Sequence, residues 1–251
     1  MDFEIVILAA GHGSRMNSQL PKVMHKLLGK PMLEYVINNA KLASQDIILV
    51  HSSELEEFIP SLSLNSHSKK VLQEEKLGTG HAVKVALDSI SIDKPVIVLY
   101  GDNPLISTKL IKQMMGKLTH ENLDLLNLVF KTDNPAEYGR IVTDNEGNFL
   151  KIVEYRDATQ EERNIKLCNS GVIAFGAGVL HKYIPLLKND NAKKEYYLTD
   201  MVSIVKENDG KISYLISEEE VVGVNTQTEL SVAEQIMKEK FVKENQGQIE
   251  I

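Results

Sequence analysis

Residues 3 to 22 read FEIVILAAGHGSRMNSQLPK, an apolar run that breaks into two glycines, a serine, an arginine and a Pro-Lys pair. A stretch as continuously apolar as 3–10 suits a strand of a parallel sheet covered on both faces. Gly11 and Gly13 would serve a tight turn, but a turn does not call for a basic residue on each side of a polar loop. Arg15 and Lys22 therefore direct attention to an anion held just beyond the end of this strand.

Outward from this loop, apolar runs alternate with amphipathic stretches: MLEYVINNAKLA at 32–43, DIILV at 46–50, HAVKVALDSI at 81–90, PVIVLYGD at 95–102 and STKLIKQMMGKL at 107–118. Strand, helix, strand, helix is the simplest reading. Pro31 suits a first helical turn and Ser107 an N-cap. The second half changes character, with LLNLVF at 125–130, GRIVTDNEGNFLKIVEY at 139–155 and KLCNSGVIAF at 166–175 reading as strands, and Asn145 to Gly147 as a hairpin loop. Helices are predicted at 178–188, 198–208 and about 227–243, and short strands at 211–216 and 220–224. The expected fold class is α/β, with a mixed, mostly parallel sheet and a β-rich lobe. One domain over 1–228 is followed by a C-terminal helix and tail over 229–251, with no internal repeat.

A chain of 251 residues, 43% of them hydrophobic, can build a core without staples. The single cysteine, Cys168, allows no internal disulfide, and the first ten residues do not read as a signal peptide. A cytoplasmic location is expected. No apolar stretch approaches the roughly 20 residues of a spanning helix, so no membrane partner is expected. A net charge of -7 argues against nucleic acid, whose backbone wants a basic face. Seven histidines without ligand spacing, and one cysteine, give no zinc site. Neither a nucleophile elbow, a Walker A sequence nor a complete dinucleotide fingerprint is present.

Open parallel sheets bind ligands beyond the carboxyl ends of their strands. Three segments sit there: the Gly11 to Arg15 loop, Tyr100-Gly101-Asp102, and Gln73 followed by Leu77 to His81 at a helix start, where free N–H groups and the dipole favour an anion. Each alone also suits a plain role: turn glycines, a solvated Lys22, an Asp102 that only begins a turn. Together they fit a nucleoside triphosphate with Mg²⁺, which prefers one or two carboxylates plus phosphate oxygens. The Gln73 amide can pair with a base edge.

LAAGHGSRM and LPKVMHKLLGKPML resemble the signature of sugar nucleotidyltransferases. LQEEKLGTGHAV, LYGDNPLI, PAEYGRIV, IVEYRDAT, CNSGVIAF, EYYLTDMV and VGVNTQTEL resemble the uridyltransferase half of the bifunctional N-acetylglucosamine-1-phosphate uridyltransferases. The resemblance implies a Rossmann-like nucleotide-diphospho-sugar transferase fold. It also implies transfer from UTP to N-acetylglucosamine 1-phosphate with Mg²⁺ as cofactor. Position by position, it implies that Gly11, Arg15 and Lys22 cradle the triphosphate, with Leu8, Ala10 and Gly13 beside the nucleotide. Gln73, Gly78 and Thr79 would hold uracil and ribose, and Asp102 and Asn225 the metal. Gly139, Glu154, Asn169 and Tyr196 or Thr199 would line the sugar side, with Tyr100 near the substrate. Arg15, Lys22 and Asp102 carry the chemistry in this reading. Bifunctional members continue into a left-handed β-helix whose hexapeptide repeats these residues do not contain, which leaves the oligomeric state open.

Overall fold

The computed structural model describes residues 2–246 apart from His12, Asn17 and Val222. The first strand, β1 (Glu4–Ala9), is buried along its whole length. A small hairpin follows, β2 (Lys26–Leu27) and β3 (Lys30–Pro31), turning through Leu28 and Gly29 at positive φ. Then come α1 (Met32–Ala43), β4 (Ile47–His51), α2 (Ser53–Glu56), β5 (Lys69–Leu72), α3 (Thr79–Ala86), β6 (Val96–Tyr100) and α4 (Thr108–His120). The second half comprises β7 (Leu125–Lys131), β8 (Arg140–Thr143), β9 (Phe149–Val153), α5 (Gln160–Arg163), β10 (Leu167–Phe175), α6 (Val179–Tyr183), α7 (Met201–Glu207), β11 (Ile212–Ile216) and α8 (Gln227–Gln246).

The main sheet runs β11-β7-β10-β6-β1-β4-β5, with the β8–β9 hairpin joined through β8 to β10. β6, β1, β4 and β5 are mutually parallel, as are β11 and β7, and β10 is antiparallel to β6, β7 and β8. The sheet is therefore mixed and mostly parallel, as expected. Apolar continuity has a direct cause. Ile5, Ile7, Ile97 and Leu99 face a core shared with Val36 and Ile37 of α1 and Ile111 and Met114 of α4. Val6, Leu8, Val96 and Val98 face a second core with Val83 of α3, Leu180 of α6 and Val202 of α7. Each such burial is worth about 1.5–3 kcal/mol, and the one charged residue of β1, the buried Glu4 at its start, is satisfied by the Ser91 N–H, which donates to its carboxylate at 2.7 Å.

Ser107 caps α4 by accepting from the Leu110 N–H at 3.1 Å, as read. Pro31 stands at the cap of α1 rather than inside it. The helix expected over 178–188 is shorter: α6 stops at Tyr183, and a tight turn over Ile184–Leu186 follows around Pro185, which lacks the N–H a helix needs. That expected over 198–208 begins with a similar turn, Leu198–Asp200, before α7. The strand expected at 220–224 does not form among its described residues. Val221 drops into the first core, Val224 packs with Leu27, Met32 and Ala233, and the Val224 N–H donates to the Asp102 carbonyl at 2.8 Å. The valines cross the sheet ends instead of extending them. Val222 of that segment, His12 of the glycine loop and 247–251 of the expected tail lie outside the described residues. Among the described residues no helix is long and apolar enough to cross a membrane.

Candidate active site

In-register pairing aligns the carboxyl ends of four strands: Leu8 lies opposite Tyr100, Ala9 opposite His51, and His51 opposite Leu72. The segments that leave those ends enclose a cavity of about 580 Å³. Leu8, Ala10, Gly11, Gly13, Arg15, Lys22, Gln73, Gly78, Thr79, Tyr100, Asp102 and Asn225 all line it. So do five residues that were assigned no role from the sequence, although all but Lys193 lie within quoted motifs: Lys76, Glu137, Arg156, Lys193 and Glu195. They are charged loop residues at irregular spacings, and only the fold brings them to one wall. The lining holds five cations (Arg15, Lys22, Lys76, Arg156, Lys193) and three carboxylates (Asp102, Glu137, Glu195). In a chain of net charge -7 this is a local positive surplus suited to a polyanion.

At its centre the Lys22 ammonium is paired with the Asp102 carboxylate and donates to Asn225 Oδ1 at 2.9 Å, and both members of the ion pair are nearly shielded from water. Arg15 donates to the same Asn225 oxygen at 3.1 Å and to Glu137 across the mouth at 3.3 Å. Gly13, at φ +60°, permits this approach, because a Cβ there would stand 2.7 Å from the Lys22 Cβ. Gly11 has no such packing reason: a Cβ there would meet nothing within 4 Å. Its small size keeps backbone open to the cavity. Asn225 is delivered by the crossing segment, where its N–H and that of Thr226 donate to Glu229 at 2.6 and 3.0 Å.

Asp102 and Asn225 fit a magnesium ion on the chemistry of their oxygens. One carboxylate and one amide oxygen already converge on a single cation, the Lys22 ammonium. Among the described residues no group of three or more His, Cys, Asp or Glu could hold a metal.

The Gln73 amide is buried and donates to the Gly78 carbonyl at 3.2 Å, with its Nε2 3.1 Å from His81 Nδ1. Thr79 accepts from the Leu198 N–H at 3.0 Å. Burial pushes the Tyr100 phenol well up, against a hydrogen bond from Thr79, so it remains a neutral donor.

Gly139, Glu154, Asn169, Tyr196 and Thr199 do not line this cavity; they lie beside it. Thr199 Oγ1 donates to Glu154 Oε1 at 3.0 Å, and burial raises the Glu154 carboxyl. The Asn169 N–H donates to the Gly139 carbonyl at 2.9 Å, and Asn169 Oδ1 accepts from the Gly171 N–H at 2.9 Å inside a bulge of β10. Gly171, at φ +90°, brings that bulge against the Tyr100 ring, which connects the two groups of residues. Tyr196 acts through its backbone, whose carbonyl accepts from Gly80 at 2.7 Å, while its ring packs into the second core. Asp200 is pushed up to about 6 by burial and then by Glu154 and Asp157. Cys168 is buried with its thiol raised by desolvation, which makes it a core residue and no nucleophile.

The family profile of the MobA-like NTP transferase domain matches residues 5–142, more than half of the chain. The chain belongs to this NTP transferase family. Among curated relatives of this NTP transferase, the bifunctional protein GlmU of Caldanaerobacter subterraneus subsp. tengcongensis is 41% identical over 94% of the chain and 52% of its own length. That of Clostridioides difficile is 38% identical over 96% of the chain and 53% of its own length. The chain thus spans about half the length of the curated relatives it matches. A UDP-glucose pyrophosphorylase solved with UDP-glucose superposes with a TM-score of 0.79 at 18% identity, covering 96% of this chain and all of that one. This places the NTP transferase in the nucleotide-diphospho-sugar transferase fold.

Proposed function

We propose that this NTP transferase is a sugar-1-phosphate nucleotidyltransferase that makes UDP-N-acetylglucosamine and pyrophosphate from UTP and N-acetylglucosamine 1-phosphate. The observation that carries this reading is the convergence of Lys22, Arg15, Asp102 and Asn225 at the strand ends, in a cavity with surplus positive charge. The likeness to bifunctional GlmU proteins supports the choice of sugar and nucleotide. With its amide nitrogen committed to Gly78 and His81, Gln73 keeps its carbonyl oxygen free to accept from a base N–H such as that at N3 of uracil.

The nucleophile needs no general base, because a phosphate monoester has a second pKa of about 6 and is ionised near neutrality. One of its oxygens bonds to the α-phosphorus as the bond to the bridging oxygen breaks, and the electron pair leaves with pyrophosphate. The barrier is repulsion between anions, so positioning and charge neutralisation carry the catalysis. Gly11 and Gly13 bring backbone N–H groups to the triphosphate. Lys22 and Arg15 exchange Asp102, Asn225 and Glu137 for phosphate oxygens and stabilise the departing pyrophosphate. Asp102 and Asn225 would hold Mg²⁺, which supplies further charge neutralisation between the reactants. Glu154, held by Thr199, would accept from sugar hydroxyls.

The test is pyrophosphate release from UTP and Mg²⁺ with a panel of sugar 1-phosphates. Release with N-acetylglucosamine 1-phosphate above the others is expected. Release only with a different sugar or nucleotide replaces the named substrates, and none with any makes the domain a binding module. In the same assay Glu154→Ala should weaken use of the sugar phosphate by about 1.5–3 kcal/mol, the range for a charged hydrogen bond, and leave the KM for UTP nearly unchanged. Unaltered sugar-phosphate kinetics would return Glu154 to a structural carboxylate.

A further inference from the structure

Arg140 opens β8 with only 2% of its surface exposed, and among the described residues no carboxylate pairs with it. Its guanidinium is satisfied by backbone instead. Nε donates to the Arg163 carbonyl at 3.2 Å, Nη2 to Ala136 at 2.9 Å, and Nη1 to Pro135 at 3.3 Å and to Tyr138. Three of the four acceptors belong to residues 135–138, so the loop between β7 and β8 is curled around the side chain. Ala136 sits at φ +42°, an uncommon conformation for a residue with a Cβ, and its carbonyl is one of those gripped.

The placement of Arg140 in the sheet gives this grip a consequence. Arg140 lies opposite Val153 on β9 and Cys168 on β10. The neighbours of these three residues are Gly139, Glu154 and Asn169, the residues assigned above to the sugar side. Gly139 is tightly placed: a Cβ there would stand 3.1 Å from Ile152 Cγ2, 3.5 Å from Asn169 and 3.6 Å from Glu154 Oε1. A loop that relaxed would press Gly139 towards Glu154 or pull its carbonyl from the Asn169 N–H. An apolar residue could close the core here without desolvating a cation, but only a planar fork can span four carbonyls.

We propose that Arg140 is a positioning residue for the sugar-phosphate side of the cavity, its guanidinium shaping the 135–139 loop that sets Gly139 against Glu154 and Asn169. The ligand named here rests on the reading under Proposed function; the shaping of the loop does not. Arg140→Lys keeps a cation and loses the fork, and is measured well below its melting temperature beside Arg140→Met. The KM for N-acetylglucosamine 1-phosphate is expected to rise about tenfold in Arg140→Lys while kcat and the KM for UTP stay within about threefold. Amide hydrogen exchange over 136–139 should accelerate, with β1 unchanged. Unaltered exchange in the loop overturns the proposal, as do two KM values that rise together or neither rising. If Arg140→Met does not fold, Arg140→Lys decides alone. If the unmodified chain releases no pyrophosphate with any sugar phosphate, the functional reading fails, and exchange on the free protein still decides whether Arg140 holds the loop.

Discussion

Asp102→Asn is expected to lower kcat by about a hundredfold or more while the protein stays folded. Asp102 is the only carboxylate among the four converging groups, and its side chain keeps 15% exposure, so its charge works in a site largely closed to water. Loss of one preorganised charge partner typically costs on the order of 3 kcal/mol of transition-state stabilisation. Asparagine preserves the size and one acceptor oxygen, which Lys22 can still use, so the change removes charge rather than packing. Pyrophosphate release at saturating UTP, with a melting curve as control, measures it. Turnover near that of the unmodified chain, or activity that survives a chelator, would remove Asp102 and its proposed metal from the mechanism.

Gly78→Ala is expected to lower the melting temperature by roughly 6–12 °C. Gly78 sits at φ +106°, and a Cβ there would stand 2.6 Å from the Tyr196 carbonyl oxygen and 2.9 Å from the Glu195 Cβ. The Tyr196 carbonyl is held in place, because the Tyr196 N–H donates to Leu77 at 2.8 Å and its carbonyl accepts from Gly80 at 2.7 Å. Strain and overpacking each cost about 1–3 kcal/mol, and a combined 3 kcal/mol gives that shift for a chain of this size. Gly11→Ala is the informative contrast. With nothing near its Cβ, the substitution should leave melting unchanged and raise the KM for UTP, separating a glycine that packing requires from one that a ligand requires. An unchanged melting temperature in Gly78→Ala would refute the packing argument.

Strands β1, β4 and β6 were legible because they are buried on both faces and so read as unbroken apolar runs. Gly11, Tyr100 and Asp102 were legible for the same reason, since they follow by position once a strand end is fixed, whereas Gln73 follows the mostly exposed β5 and was legible from the glycine-rich helix start after it. The β2–β3 hairpin has two residues per strand, too few for any period, and α2 and α5 are single turns. Residues 221–224 have the composition of a strand, but Val221 and Val224 serve two different cores, and composition does not report which neighbour is bonded. Glu137 and Arg156 fall inside quoted motifs that assigned them no role, and Lys193 inside none, because the place of all three on the cavity wall depends on loop paths. Arg140 reads as an ordinary charged residue until its four carbonyls are counted.

Asn225 shares one oxygen between Lys22 and Arg15 across more than 200 residues of chain. A ribosome releases the glycine loop, Gln73 and Asp102 long before residue 225 appears. A nascent chain can therefore assemble its parallel strands around a cradle that still lacks one of its walls. The segment that brings Asn225 home is anchored by α8, whose Leu230 and Ala233 settle on Leu27 and Met32. The cradle is therefore closed only once residue 225 has been made, and a shorter nascent chain would hold Lys22 and Arg15 without the oxygen they share.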